Sequence, residues 1–248
     1  MKSDKVLLKS ILFYIMTFII TIAIGISQQV FKINELLSLP QLAPGLAAIL
    51  LIIIFERKNF LNFFKDKFSF NFKKYYPYFI ISILPIIIIP FSYIIYKYIF
   101  NIENSKNDIY LIILIWPIIG ALFEELGWRG YFLEVIGKKL NVFISSLIVG
   151  LFWFLWHVNL LKNGFAFSLV AFTQILSFSF ILSFAFYRTS KSILVVYLFH
   201  FFANIFSYIF ILKYFNDIKF MSIMTIPYLL VAIILIIVNK KFYFSKNE

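Results

Sequence analysis

Charged and polar residues break this chain only at wide intervals. Between them run apolar stretches about long enough to cross roughly 30 Å of hydrocarbon at 1.5 Å per helical residue. Eight spans are predicted, at residues 7 to 27, 39 to 55, 75 to 99, 109 to 127, 141 to 160, 165 to 187, 190 to 212 and 220 to 239. The second is the shortest, and Pro40, Pro44 and Gly45 leave its first turn ill-defined. The third carries Pro77, Pro85 and Pro90, which predicts a kink or a local irregularity held by neighbouring helices. No alternating strand pattern competes, and there is no internal repeat, low-complexity linker or composition shift. The polar stretch 56 to 74 reads as a loop containing an amphipathic piece, with Phe60, Phe63, Phe64 and Phe68 suited to lie on a membrane surface. The expected fold class is all-α, a polytopic membrane helical bundle of about eight transmembrane helices, forming a single integral membrane domain over residues 1 to 248.

Composition agrees with that solvent. With 62% hydrophobic, 21% aromatic and only 14% charged residues, the chain lacks the polar surface a soluble domain of 248 residues requires. The absence of Cys removes disulfides, a thiolate nucleophile and Cys-ligated metals. The net charge of +12 is scattered in short clusters between apolar runs, which fits membrane topology and excludes the long basic stripe of a nucleic-acid binder.

Lys and Arg also orient the spans, because they are enriched on the cytoplasmic side. Leaving Arg129 aside, one set of alternate segments holds sixteen: Lys2, Lys5 and Lys9, six between 56 and 74, Lys138 and Lys139, Arg188 and Lys191, and Lys240, Lys241 and Lys246. The other set holds six, namely Lys32, Lys97, Lys106, Lys162, Lys213 and Lys219. Both termini are therefore expected in the cytoplasm. The first span resembles a secretory signal, but its apolar run is long and no small-x-small cleavage site follows, so an uncleaved anchor is expected.

Against this background, Glu124, Glu125, Arg129, His157, His200 and Asn204 stand out, because they fall within or beside apolar spans. An ionised side chain at the bilayer centre costs about 2.5 to 3.5 kcal/mol on insertion scales, so such groups face one another or a wet cavity. Helical rise from the cytoplasmic ends puts Glu124 about 21 Å along its span, His157 about 24 Å and His200 about 16 Å, a shared layer. Glu125 and Arg129 are four apart and can pair, with Glu124 turned about 100° away and left for chemistry. His200 and Asn204 share one face, a turn apart. A carboxylate base, two imidazoles and an amide donor suffice to activate water and hold the oxyanion formed at an amide carbonyl.

At these residues the chain resembles the CPBP intramembrane proteases, which include CAAX prenyl endopeptidases of the Ras-converting type and bacterial Abi-like proteins. Glu124-Glu125-Leu126-Gly127-Trp128-Arg129-Gly130 is similar to the family's EExxxR signature, Trp153 to His157 to its FxxxH, and His200 to Asn204 to its HxxxN/D. The similarity covers roughly residues 108 to 206, the expected catalytic core. Trp153 departs from the usual Phe, an exchange expected to preserve packing. The resemblance implies Glu124 as the base toward water, His157 as the group that orients that water, and His200 with Asn204 as the oxyanion hole. Glu125 and Arg129 would support the helix and the local field, although Glu125 could share the base function.

Each residue also has a structural reading. Glu125 with Arg129 can be a neutralising pair, and a lone intramembrane His or Asn commonly hydrogen-bonds between helices. The only two His of the chain, however, both fall on motif positions beside the double Glu. Glu124, His157 and His200 could together ligate zinc, but the H-E-x-x-H helix is absent and Asn204 is a poor ligand, so a metal-free glutamic peptidase is favoured and no cofactor is expected. The expected activity is endopeptidase hydrolysis of a membrane-associated or lipidated, CAAX-like peptide, with that peptide and the lipid bilayer as partners and no nucleic acid. Two alternatives are a non-proteolytic bacteriocin-immunity or peptide-binding membrane protein and a proton-coupled transporter; inverted-repeat symmetry, which would support the transporter, is missing. The Ile, Phe, Lys and Asn bias suits a microbial cell membrane.

Overall fold

The computed structural model describes residues 2–102, 111–211 and 214–245. Lys106, Lys213 and Lys246 of the charge tally, the first two residues of the predicted fourth span and the last of the seventh lie outside the described residues. Among the described residues every regular element is a helix. The long ones are α1 (Lys2–Val30), α2 (Ala43–Glu56), α3 (Phe60–Phe68), α4 (Phe79–Phe100), α5 (Leu111–Glu125), α6 (Val142–Trp156), α7 (Phe165–Arg188), α8 (Leu194–Ile211) and α9 (Ile218–Val238).

Among the described residues five helical stretches are long and apolar enough to cross a membrane: Lys5–Val30, Leu39–Phe68, Phe72–Phe100, Phe165–Arg188 and Ile218–Val238. Val142–Trp156 and Leu194–Phe210 are shorter apolar helices. Their outer faces carry stripes that water would not tolerate, such as Leu7, Ile11, Ile15, Ile19, Ile22 and Ile26 on α1. With these faces turned to hydrocarbon, the chain is an integral membrane protein. The predicted spans and the helices coincide closely, and two differences bear on function. The fifth predicted span stops at Trp156, short of residue 160, and continues as a 3₁₀ segment, Val158–Asn163. The fourth runs past 127, because α5 continues as a π-helical stretch, Leu126–Leu133, and one more α-turn, Glu134–Gly137.

Prolines fit where their missing N–H costs least. Pro40 and Pro44 sit in the first turns of the segment Leu39–Leu42 and of α2. Pro77 lies in the tight turn Tyr76–Tyr78 before α4, while Pro85 and Pro90 lie inside that helix. The helix runs uninterrupted through both.

Contacts assemble the bundle around α8. It packs on α4 and α5, α7 lies between α6 and α9, and α2 joins α1 to the Glu-bearing helix. At that last contact glycines let backbones touch. A Cβ on Gly127 would stand 2.5 Å from the Pro44 carbonyl carbon, and one on Gly45 2.9 Å from the Phe123 Cα. Small residues permit this approach, and dispersion then holds it. The amphipathic piece is a helix, α3, and its C-terminal end is fastened to the core. The Lys67 carbonyl accepts from the Ile193 N–H at 2.9 Å and the Ser192 hydroxyl at 3.3 Å, and the Lys67 ammonium pairs with Glu134. One residue of α3 thus ties the Glu-bearing helix to the start of α8.

Candidate active site

Glu124 and Glu125 occupy the last turn of α5, both buried, with Arg129 in the π-helical stretch that follows. Arg129 Nη1 donates to Glu125 Oε1 at 2.8 Å, the pair expected from their spacing. The same oxygen takes a second bond that spacing within one helix could not indicate. His200 Nδ1 lies 2.8 Å from Glu125 Oε1, so α8 is bonded directly to the second glutamate. An ionised carboxylate only accepts, which assigns the proton to Nδ1. The other imidazole nitrogen, Nε2, then faces Glu124, 3.9 Å from its Oε2.

Glu124 has a partner of its own. Trp153 Nε1 donates to Glu124 Oε2 at 3.0 Å, and the Arg129 guanidinium lies over the Trp153 ring at 4.1 Å. The Trp-for-Phe exchange, expected to preserve packing, thus also adds a donor. A phenylalanine has no N–H to offer, whereas the indole both bonds the carboxylate and offers a π-face to the cation. The Trp itself was the available signal, because a buried indole N–H needs an acceptor.

His157 is the residue at which α6 ends. Its backbone, at φ −81° and ψ 54°, has left the helix, and its N–H bonds the Phe154 carbonyl. That leaves the Trp153 carbonyl without its i+4 donor, and His157 Nδ1 supplies one at 2.8 Å. The imidazole thereby caps its own helix, and because a carbonyl only accepts, Nδ1 carries the proton and Nε2 is a free acceptor. His157 is thus on a helix end, where the sequence reading put it inside a span.

Asn204 stands one turn beyond His200 on α8. Together with Trp153, His157, His200 and Ser207 it lines a cavity of about 130 Å³, closed by apolar groups including Met221 and Met224. A bound water occupies about 30 Å³ of liquid volume, so several fit. Among the described residues no partner reaches Glu124 Oε1 or Asn204 Nδ2, although both atoms are buried. Buried polar atoms are costly unless satisfied, so the open donor of Asn204 in the cavity lining, and the open acceptor of Glu124, whose other oxygen is bonded by Trp153 of that lining, invite water and a substrate carbonyl. All six residues singled out in the sequence are therefore brought into one cluster, and Trp153 joins them.

Among the described residues no group of three or more His, Asp or Glu is disposed to hold a metal ion. Glu124 Oε2 is occupied by Trp153, and one nitrogen of each imidazole is committed to a carboxylate or a carbonyl.

The family model described as "Type II CAAX prenyl endopeptidase Rce1-like" matches residues 106–206. CAAX prenyl protease 2 of Methanococcus maripaludis is 29% identical over 169 residues, which is 64% of this chain and 61% of that protein. Lysostaphin resistance protein A of Staphylococcus aureus is 30% identical over 168 residues, 64% of this chain and 37% of that protein. The matches therefore span about three fifths of the first relative and well under half of the second.

Proposed function

This chain belongs to the CPBP family of membrane proteins, and on that premise we propose that it is an intramembrane endopeptidase that hydrolyses a peptide bond in a membrane-associated or lipidated, CAAX-like peptide through a water activated by Glu124. The observation that supports this most is the presence of two open buried atoms, Asn204 Nδ2 on a residue lining the small cavity that both imidazoles help to build, and Glu124 Oε1 on the carboxylate whose other oxygen is bonded by Trp153 of that lining.

In this reading, water hydrogen-bonds Glu124 Oε1 and the acceptor Nε2 of His157. Glu124 takes the water proton as the hydroxide oxygen bonds the scissile carbonyl carbon, and the carbonyl π-electrons move to its oxygen. Asn204 Nδ2 and His200 Nε2 donate to that oxyanion. As the C–N bond breaks, its electron pair returns to nitrogen, and the carboxylic acid of Glu124 gives the proton back to the leaving amine. Donation from Nε2 while Nδ1 serves Glu125 requires His200 as the imidazolium. With that charge, Glu124, Glu125, Arg129 and His200 sum to zero, which is the condition under which so many ions can be kept out of water.

The metal-free mechanism is part of the same proposal. The test is a cleavage assay on detergent-purified protein, with prenylated and unprenylated peptides, each with and without a strong chelator. Glu124→Gln is expected to abolish cleavage while leaving expression and membrane insertion intact, and chelator is expected to have no effect. Cleavage by Glu124→Gln would refute Glu124 as base, and loss with chelator restored by stoichiometric zinc would refute the metal-free step. A protein that binds but never cuts these peptides would turn the reading toward an immunity function.

A further inference from the structure

The cavity that His157, His200 and Asn204 line is not midway along the bundle. Its wall on α9 is Met221 and Met224, in the first two turns of that helix, and its wall on α8 runs from His200 to Ser207, toward the last turn. At helical rise these residues lie about 5 to 17 Å below the end of the bundle at which α6 stops and α7 and α9 begin. Two residues outside the long helices complete the wall there, Leu160 of the 3₁₀ segment and Phe215 of the turn before α9. Phe215 is 43% exposed, so at this end the wall of the cavity is also the surface of the protein. The opposite end is shut. Beyond His200 in that direction Val195, Val196 and Phe199 of α8 and Phe186 of α7 are wholly buried. The surface helix α3 is fastened across them, with the Lys67 carbonyl accepting from the Ile193 N–H at 2.9 Å and the Lys67 ammonium 5.3 Å over the Phe186 ring. The shut end is also the one with sixteen Lys and Arg against six.

We propose that the site is served from the extracytoplasmic side and that its substrate is a peptide segment already carried across the bilayer, a proposal that rests on the Glu124 reading for its chemistry and on the position of the cavity for its direction. Lys and Arg gather on the cytoplasmic side, which puts the shut end in the cytoplasm and Phe215 at the outer surface. A peptide backbone is costly to draw through hydrocarbon. A tail arriving from the cytoplasm would have to lift α3 or cross the buried layer beneath it, whereas a segment at the outer surface need only pass Phe215. The walls it then meets, Ile89, Phe178, Met221 and Met224, are apolar and suit apolar side chains flanking the scissile bond. Unbranched thioethers adapt to many shapes, so the side of the bilayer selects the substrate more than its sequence does.

Membrane vesicles of known sidedness test the direction of entry. The prenylated and unprenylated peptides of the cleavage assay, each carrying a sulfonated dye that keeps it on the side of addition, are given to right-side-out and to inverted vesicles containing the full chain. Right-side-out vesicles are expected to cleave them, with loss of cleavage in inverted vesicles and recovery when detergent opens these. Cleavage by inverted vesicles before detergent would overturn the proposal while leaving the proteolytic reading intact. No cleavage even in detergent would refute that reading and the substrate with it. Because the chain has no Cys, labelling decides the direction without any cleavage. Ser207→Cys, in the cavity wall, should react in intact cells with a small membrane-impermeant methanethiosulfonate. A bulky maleimide on Phe215→Cys should abolish cleavage measured in detergent, whereas the same reagent on Lys58→Cys at the shut end should not. Reaction of Ser207→Cys in inverted vesicles and not in intact cells would put the mouth on the cytoplasmic face and overturn the proposal.

Discussion

Trp153 shows how one side chain can serve several neighbours. Its N–H holds Glu124, its ring carries Arg129, and its own carbonyl fixes the tautomer of His157. Trp153→Phe keeps an aromatic ring and removes the donor. A hydrogen bond to a charged group is worth about 1.5 to 3 kcal/mol, so kcat is expected to fall roughly 10- to 100-fold with little change in KM. An unchanged kcat would leave the indole a packing residue. Asn204→Leu removes a proposed oxyanion donor without opening a cavity, and steady-state kinetics should record a loss of about 10²- to 10³-fold in kcat. The residues themselves were legible in the sequence, because ionisable groups are so rare in apolar spans. Their bonds were legible only within a helix. Spacing predicts Glu125 with Arg129, but nothing in the order of residues announces that His200 would bond Glu125.

At the scale of elements, function depends on where helices end and how close they come. α6 stops at Trp156, and that stop turns His157 from a residue on a helix side into a cap with one nitrogen released. The π-helical stretch after α5 carries Arg129 and Gly127, and Gly127 meets the Pro44 backbone. Gly127→Ala would place its Cβ against atoms that cannot swing aside, an overpacking cost of about 1 to 3 kcal/mol. Thermal unfolding in detergent should show Tm lowered by roughly 2 to 10 °C, whereas Gly25→Ala, with open space around it, should not fall. Asp217 caps α9, accepting from the Lys219 and Phe220 amides at 2.7 and 3.3 Å and from the Tyr96 hydroxyl at 2.5 Å. Burial acts to raise its carboxyl pKa, but these bonds and the Lys219 charge outweigh it and hold the group below the ordinary carboxylate range. A depressed folded pKa gives stability that is present above the unfolded value and is lost as pH falls through the folded one. Asp217→Ala should therefore cost about 1 kcal/mol near neutrality and progressively less in acid, as measured by melting curves across pH.

For the molecule as a whole, charge and hydropathy describe one object seated across a bilayer. The excess of cations in alternate segments predicts both termini and the 138 to 139 turn on the cytoplasmic side. Because the chain has no Cys, single substitutions can report this directly. In intact cells, Lys162→Cys should react with a membrane-impermeant maleimide and Lys139→Cys should not, with both reacting after lysis. The reverse pattern would invert the orientation and put α3 on the outer face. α3 matters here because Lys67 links the start of α8 to Glu134, so the surface piece and the buried cluster share one scaffold.

The order of residues alone determined that this chain lives in a membrane, that it is helical, and which half-dozen polar groups needed a reason to be there. Those conclusions rest on the energetic penalty for placing polar groups in hydrocarbon, which acts on each segment separately. Folding decided the rest: which carboxylate the second imidazole bonds, that an indole holds the first, where a helix stops, and that the cavity lies toward one end of the bundle. These follow from close packing between segments far apart in sequence, and no single segment carries that information.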